Sequence, residues 1–353
     1  MSDIVFSKGG SAYITSKIDE AIKNESRTAT ISGNWEIESA IAIPSNFTLV
    51  LEDCHLRMAD GTFSNMFINA NQLSELGRLR ECTDKNINII GRGKAILDGG
   101  EYNGLSERNY LKDGMPAIWK NNLLLFTNVD GFRISDIACH NQRWWALNFI
   151  YCCNGYLGNI DFKANDTAID ENGNVYHGLK RANYMDVLVK NADGIDLRQG
   201  CHDIVIENIT GFTEDDTIAL TALNGRIERA YKVDGLSSDL CNIEIKNIRS
   251  AAYCTNVRLL NQGEIKLHDI LIDGVYDVAR GSGYTDAGIY AVRVGDTRMY
   301  GTRHATADET YNITIRNVHG EGEAAVALAG QMKNVTIENV TSREGTPILL
   351  DER

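Results

Sequence analysis

Proline is nearly missing from this chain, at 3 of 353 residues beside 32 glycines and 43% hydrophobic residues. Such a balance belongs to a soluble, fully folded chain with a large core. A chain this long outgrows the usual single core unless each layer needs only its neighbours, as in a solenoid. No stretch reaches the roughly 18 apolar residues of a membrane span. The opening Met1-Ser2-Asp3-Ile4-Val5-Phe6 lacks the basic start and apolar run of a secretory leader. Positive charge is scarce as well: 35 Lys and Arg face 48 Asp and Glu, for a formal charge of −13. That argues against nucleic acid or an anionic membrane as a partner. It also disfavours diffuse attraction to a polyanion such as pectin, while leaving room for a local basic pocket that holds one carboxylate. The eight cysteines (54, 82, 139, 152, 153, 201, 241 and 254) show no metal-type CxxC spacing, and the adjacent Cys152-Cys153 suits neither a zinc site nor a disulfide framework. Cys201 and Cys241, each just ahead of a repeat, read as small buried residues. A reducing, cytoplasmic location is the expectation.

What the chain does have is a period. The six-residue pattern apolar, any, apolar, any, Asn or Asp, apolar occurs as Phe132–Ile137, Ile204–Ile209, Ile243–Ile248, Ile265–Ile270, Ile313–Val318 and Val335–Val340. Its starts differ by 22 residues twice, and otherwise by 39 to 72. Each hexad alternates apolar and polar residues and is rich in Ile and Val, the mark of a strand with one buried face. A second apolar strip follows: Ile218-Ala219-Leu220, Val257-Arg258-Leu259, Val326-Ala327-Leu328 and Ile348-Leu349-Leu350. Two or three short strands per turn, stacked in register, predict an all-β fold, a right-handed parallel β-helix with coils roughly 4.8 Å apart. The asparagines at the fifth hexad position (Asn208, Asn247, Asn317, Asn339) are expected to stack at a bend and bond backbone groups there.

The whole chain, 1–353, reads as one β-helix domain. Residues 11–24 place Ile14, Ile18, Ala21 and Ile22 on one face of a short N-terminal helix that caps the open end. Residues 30–56 give three short strands, and the coils proper are expected over 86–350. Polar excursions near 99–120, 163–186 and 276–310 interrupt them; such loops build the walls of a cleft or are plain surface.

Two acidic stretches carry the chemistry: Asn191-Ala192-Asp193-Gly194-Ile195-Asp196 and Glu214-Asp215-Asp216-Thr217-Ile218-Ala219. Asp193 stands two residues before Ile195 and Asp216 two before Ile218, so both are expected at one corner of adjacent coils, with Asp215 beside them. Like charges at one strand spacing repel unless a proton or a cation intervenes, so at least one pKa should rise. A carboxylic acid beside a carboxylate suits glycosidic hydrolysis. The residues alone also admit a Ca²⁺ site of oxygen ligands, or corner aspartates that bond backbone amides.

Asn-x-Asp-Gly-Ile-Asp followed about 22 residues later by Asp-Asp-x-Ile-Ala resembles the core signature of the polygalacturonase and rhamnogalacturonase family, glycoside hydrolase family 28. Ile43-Pro44-Ser45-Asn46-Phe47-Thr48-Leu49-Val50-Leu51, Ile96-Leu97-Asp98-Gly99-Gly100 after Gly91-Arg92-Gly93, and Trp145-Ala146-Leu147 before Tyr151-Cys152 extend the likeness along most of the chain. The resemblance implies a right-handed β-helix and inverting hydrolysis of a polysaccharide or oligosaccharide. It makes Asp215 the general acid and gives Asp193 and Asp216 the task of orienting and deprotonating water. The family's Gly-His-Gly segment has no counterpart in residues 230–240, and its Arg-Ile-Lys motif appears as Arg258-Leu259-Leu260. The absent lysine removes a cation that would hold a uronate carboxylate at the scissile subsite.

Around the acids, Asn191, Arg258, His177, Trp145 and Arg293 are candidates for substrate binding. Arg258 would pair with the aspartates or with substrate. Trp144 and Trp145 offer a sugar-stacking face or sit in the core, and His177 substitutes for the missing histidine or is a loop residue. Arg293, Arg298, Arg303 and His304 crowd the third excursion. No metal and no cofactor are expected, and a homo-oligomer is compatible with the sequence. The expected activity is an exo-acting, inverting hydrolase on a short pectin-derived or related plant oligosaccharide, imported into the cell. The alternatives are a lyase or transglycosylating relative on the same fold, or a carbohydrate-binding β-helix whose active site has decayed.

Overall fold

The computed structural model describes residues 4–100, 120–142, 144–164, 193–283, 288–296, 303–343 and 345–351, with the backbone of 167–169 and 175–177. Among these, eighteen strands join in one continuous, parallel hydrogen-bonded system that winds as a right-handed parallel β-helix; a separate antiparallel pair joins Thr167–Ile169 to Val175–His177.

The second apolar strip sets the register at the site. Ile41, Phe67, Leu124, Leu147, Ile195, Ile218, Val257, Val292, Val326 and Ile348 follow one another from coil to coil in a single column. All but Ile348 of the last coil are fully buried. Because side chains alternate along a strand, the residue after each of these faces outward, and that outer column reads Asn148, Asp196, Ala219, Arg258, Arg293, Ala327.

Hexads form a second column, with one correction of phase. Ile243 pairs with Ile270, and Ile270 with Ile313, so the repeat there begins at Ile270 and not at Ile265. The run Ile-x-Leu-x-Asp-Ile satisfies the pattern in the wrong frame. In the right frame the fifth position is Gly274, whose φ of 86° matches the left-handed backbone of Asn208 (57°), Asn247 (52°), Asn317 (58°) and Asn339 (50°). Such a φ is cheap for Gly and tolerated by Asn. The asparagine amides bond one another and not the backbone: Asn247 Nδ2 donates to Asn208 Oδ1 at 2.7 Å, Asn208 to Asn159 at 3.0 Å, and Asn159 to Asp136 at 2.8 Å.

The capping helix spans Gly10–Lys23 and buries Ile14, Ile18 and Ala21 against the first coil. Coils begin earlier than Asn86: Thr28–Ile37 already pairs in parallel with Phe47–Met58, and that strand with Asp84–Asp98. Of the three excursions, residues 101–119, most of 163–186, 284–287 and 297–302 lie outside the described residues. The third is not one loop, since Tyr290–Val294 is a coil strand in full register. All eight cysteines are free. Cys201 is core, whereas Cys241 is half-buried in a column with His202 and His268.

Candidate active site

Three successive coils build the site. The strand Ile195–Arg198 pairs with Ile218–Ala222 and that with Thr255–Asn261, and the residues just ahead of each strand are Asp193, then Asp215 and Asp216, then Cys254. The backbone draws the first two corners together: Gly194 N–H donates to Asp216 O at 3.0 Å, and Asp216 N–H to Asp193 Oδ1 at 3.3 Å. Gly194 is required by this approach, because a Cβ there would stand 2.4 Å from the Thr217 carbonyl oxygen.

Asp193 is buried, and burial, reinforced by Asp196, Asp215 and Asp216, pushes its carboxyl well above the ordinary carboxylate value. Asp216 is partly exposed as a residue, yet its Oδ1 is buried without a partner. Desolvation raises this carboxyl to about 6, against the pull of Arg258, hydrogen bonds from Thr255, and Arg293. Asp215, partly exposed like Asp216, accepts a hydrogen bond from the Cys254 thiol. Asp193, Asp215 and Asp216 are brought together at adjacent corners, and their mutual repulsion adds to the rise of Asp193.

A fourth carboxyl belongs to the cluster and was not singled out in the sequence. Asp196 is 1% exposed, and burial lifts it to about 7 although Arg198 lies beside it. Arg198 Nη2 reaches Asp196 Oδ1 at 3.3 Å, its Nη1 reaches Glu228 Oε1 at 2.6 Å, and its guanidinium lies 3.7 Å from the Trp145 ring centroid. Alternation was the available signal: Asp196 and Arg198 interleave with Ile195 and Leu197, which enter the core. Glu228 comes from the five-residue helix Arg226–Ala230 and had no such signal.

Arg258 stands in the outer column next after Ala219, with Arg293 one coil on. Arg258 donates to the Gly295 carbonyl at 2.7 Å and lies 3.6 Å from Asp296; Arg293 lies 3.8 Å from Asp351. Arg293 is thus a strand residue and not part of a loop cluster; Arg303, by contrast, pairs with Glu309 at 2.7 Å, and Arg298 lies outside the described residues. Trp145 is buried, and the face under Arg198 is closed to a sugar; Trp144 is core. Asn191 and the side chain of His177 lie outside the described residues. The Asp98 of the Leu-Asp-Gly-Gly run sits elsewhere, bonded to His55 at 3.1 Å and Asn141 at 2.9 Å. A shallow groove of about 520 Å³ beside Val205, Glu244, Leu271 and Thr314 lies on the hexad face, away from the acids.

No curated protein sequence matches the chain. Solved structures share its fold. An exopolygalacturonase from Thermotoga maritima is 11% identical at a TM-score of 0.53, covering 98% of this chain and 88% of its own. A 1,3-α-1,4-β-D-galactose-4-sulfate-3,6-anhydro-D-galactose-2-sulfate 4 galactohydrolase is 13% identical at 0.57, covering 95% and 86%. A tailspike protein variant of E. coli bacteriophage HK620, in complex with a pentasaccharide, is 16% identical at 0.60 and covers 96% of this chain, which spans only 61% of the tailspike. The sequence model of glycosyl hydrolases family 28 matches residues 38–251. That span holds Asp193, Asp215 and Asp216 and stops short of Arg258 and Arg293; it takes in more than half of the sequence, and the chain belongs to glycosyl hydrolases family 28.

Proposed function

We propose that this chain is an inverting, exo-acting glycoside hydrolase on a pectin-derived or related plant oligosaccharide. The observation that carries the reading is the meeting of Asp193, Asp215 and Asp216 from adjacent coils, with Asp193 and Asp216 both raised by burial. Asp215 protonates the leaving oxygen. Asp193 and Asp216 orient water and take its proton, with Arg258 favouring the ionised form of Asp216. Inversion asks for an acid and a base roughly 6.5–9.5 Å apart, so that water fits between base and sugar. The paired arginines Arg258 and Arg293 support a substrate with an acidic group, since the second supplies a cation that the missing lysine does not. The exo-acting choice follows the likeness to the Thermotoga maritima exopolygalacturonase.

The test is release of reducing ends from polygalacturonate and from short oligogalacturonides, with the anomer of the first-formed product read by proton NMR. An inverted anomer is expected. Absorbance from an unsaturated uronate would make the protein a lyase, and sugar binding without turnover would make it a binding module.

A further inference from the structure

Asn148 faces Asp196 across adjacent coils, and its neighbours Leu147 and Phe149 enter the core, so its amide stands on the outer face beside the acids. The residue is fully buried, yet neither Oδ1 nor Nδ2 has a partner. Asp196 is engaged by Arg198 at Oδ1 only; its Oδ2 is buried and unmet, as are Arg198 Nε and Asp216 Oδ1. Buried polar atoms are nearly always hydrogen-bonded, and a group of exceptions in one place calls for a cause. Nothing in the coil geometry demands a polar pair here, because the column continues as Leu125 on the Asn148 side and as Ala219 on the Asp196 side.

We propose that Asn148 and Asp196 form a subsite for adjacent hydroxyl groups of an uncharged pyranose ring, directly beside the three aspartates. The inference rests on the glycosidase reading for the chemistry next door. An amide offers a donor and an acceptor, and a carboxyl accepts, so together they match a vicinal diol in which each hydroxyl both gives and takes a hydrogen bond. A uronate carboxylate does not fit, since it would meet Asp196 and Asp216. Acidic groups belong at Arg258, two coils along the same column and so roughly 10 Å away at strand spacing. The site therefore reads two adjoining units of a glycan differently: one by its hydroxyls, the other by its charge.

The experiment is saturation-transfer NMR with methyl α-galacto-, gluco- and rhamnopyranosides on the wild-type chain, on Asn148→Leu and on Asn148→Ala. Transfer to at least one neutral glycoside is expected in the wild type, with affinity lowered by about tenfold or more in both variants. Asn148→Leu, which keeps the volume and removes two unmet polar atoms, should leave Tm unchanged or higher. A fall in Tm would mark the amide as bonded within the folded chain and overturn the proposal. So would equal transfer in all three proteins, the result expected if only fixed water occupies the amide, or no transfer to any neutral glycoside. Binding is read without turnover, so a failure to release reducing ends counts against the hydrolase alone.

Discussion

Asp216 donates its backbone N–H to the Asp193 carboxylate at 3.3 Å, so each coil of the site hydrogen-bonds the acid of the coil before it. The bond holds one Asp193 oxygen at the corner, while the neighbouring acids push its pKa up. Asp215 stands at the same corner and accepts the Cys254 thiol. In the proposed mechanism it gives its proton to a sugar oxygen, while the other two acids manage water.

Asp215→Asn should therefore fold normally and lose roughly two to four orders of magnitude in turnover, the range for removal of a general acid. Circular dichroism and Tm check the fold, and reducing-end release on a poorly activated substrate checks the rate. Turnover within a few fold of wild type would move the acid to another residue.

The asparagine ladder makes a separate claim about stability. Asn208 has a φ of 57°, receives the Asn247 amide and donates to Asn159. Asn208→Ala loses the bonds and suits the left-handed φ poorly, whereas Asn208→Gly loses the bonds alone. Destabilisation of about 1–2 kcal/mol is expected for Ala and less for Gly, by urea denaturation. Equal losses would assign the whole effect to the amide.

Arg198 is a buried cation of the site, paired with Glu228 and Asp196. Arg198→Met keeps much of the contact on Trp145 but leaves two buried carboxyls without their counter-charge, which typically costs about 3–5 kcal/mol. The loss should shrink as pH falls and the carboxyls protonate. A variant as stable as wild type at neutral pH would mean that water already solvates Glu228.

Much of this was legible in the sequence because stacked coils repeat one pattern of apolar alternation, and the two acidic stretches carry the same offset from Ile195 and Ile218. Ile265 misled because hydrophobic alternation has no unique frame where Ile, Leu and Ile follow at spacings of 2 and 3. The strand that holds Arg293 was hidden because Tyr290–Val294 follows its hexad, which starts at Ile270, at a longer interval than the 13 or 14 residues that separate Ile204 from Ile218, Ile243 from Val257 and Ile313 from Val326. Asp196 and Asn148 were readable in principle, each lying between two core residues. Their significance was not, since it lies in burial and unmet hydrogen bonds, which depend on what covers the outer face.

The pH dependence of stability tests that burial. Asp196 moves from an ordinary 3.8 to about 7 on folding, and Asp216 from 3.8 to about 6. A raised carboxyl means that the folded state holds more protons than the unfolded one between these values, so stability falls as pH rises. The contribution is complete below about pH 3.8 and is lost as pH climbs through 6 to 7. Asp196→Asn removes one titration while keeping a side chain of the same shape. The wild type minus variant difference in unfolding free energy should therefore decline by a few kcal/mol, roughly, between pH 4 and pH 8. Other groups titrate in the same interval, and subtraction cancels those that the substitution leaves alone. Urea melts at several pH values measure the difference directly. If the difference is flat, Asp196 ionises in the folded protein at an ordinary carboxylate pKa, and if it rises with pH, at a lower one; either way water or a cation must reach the buried Oδ2.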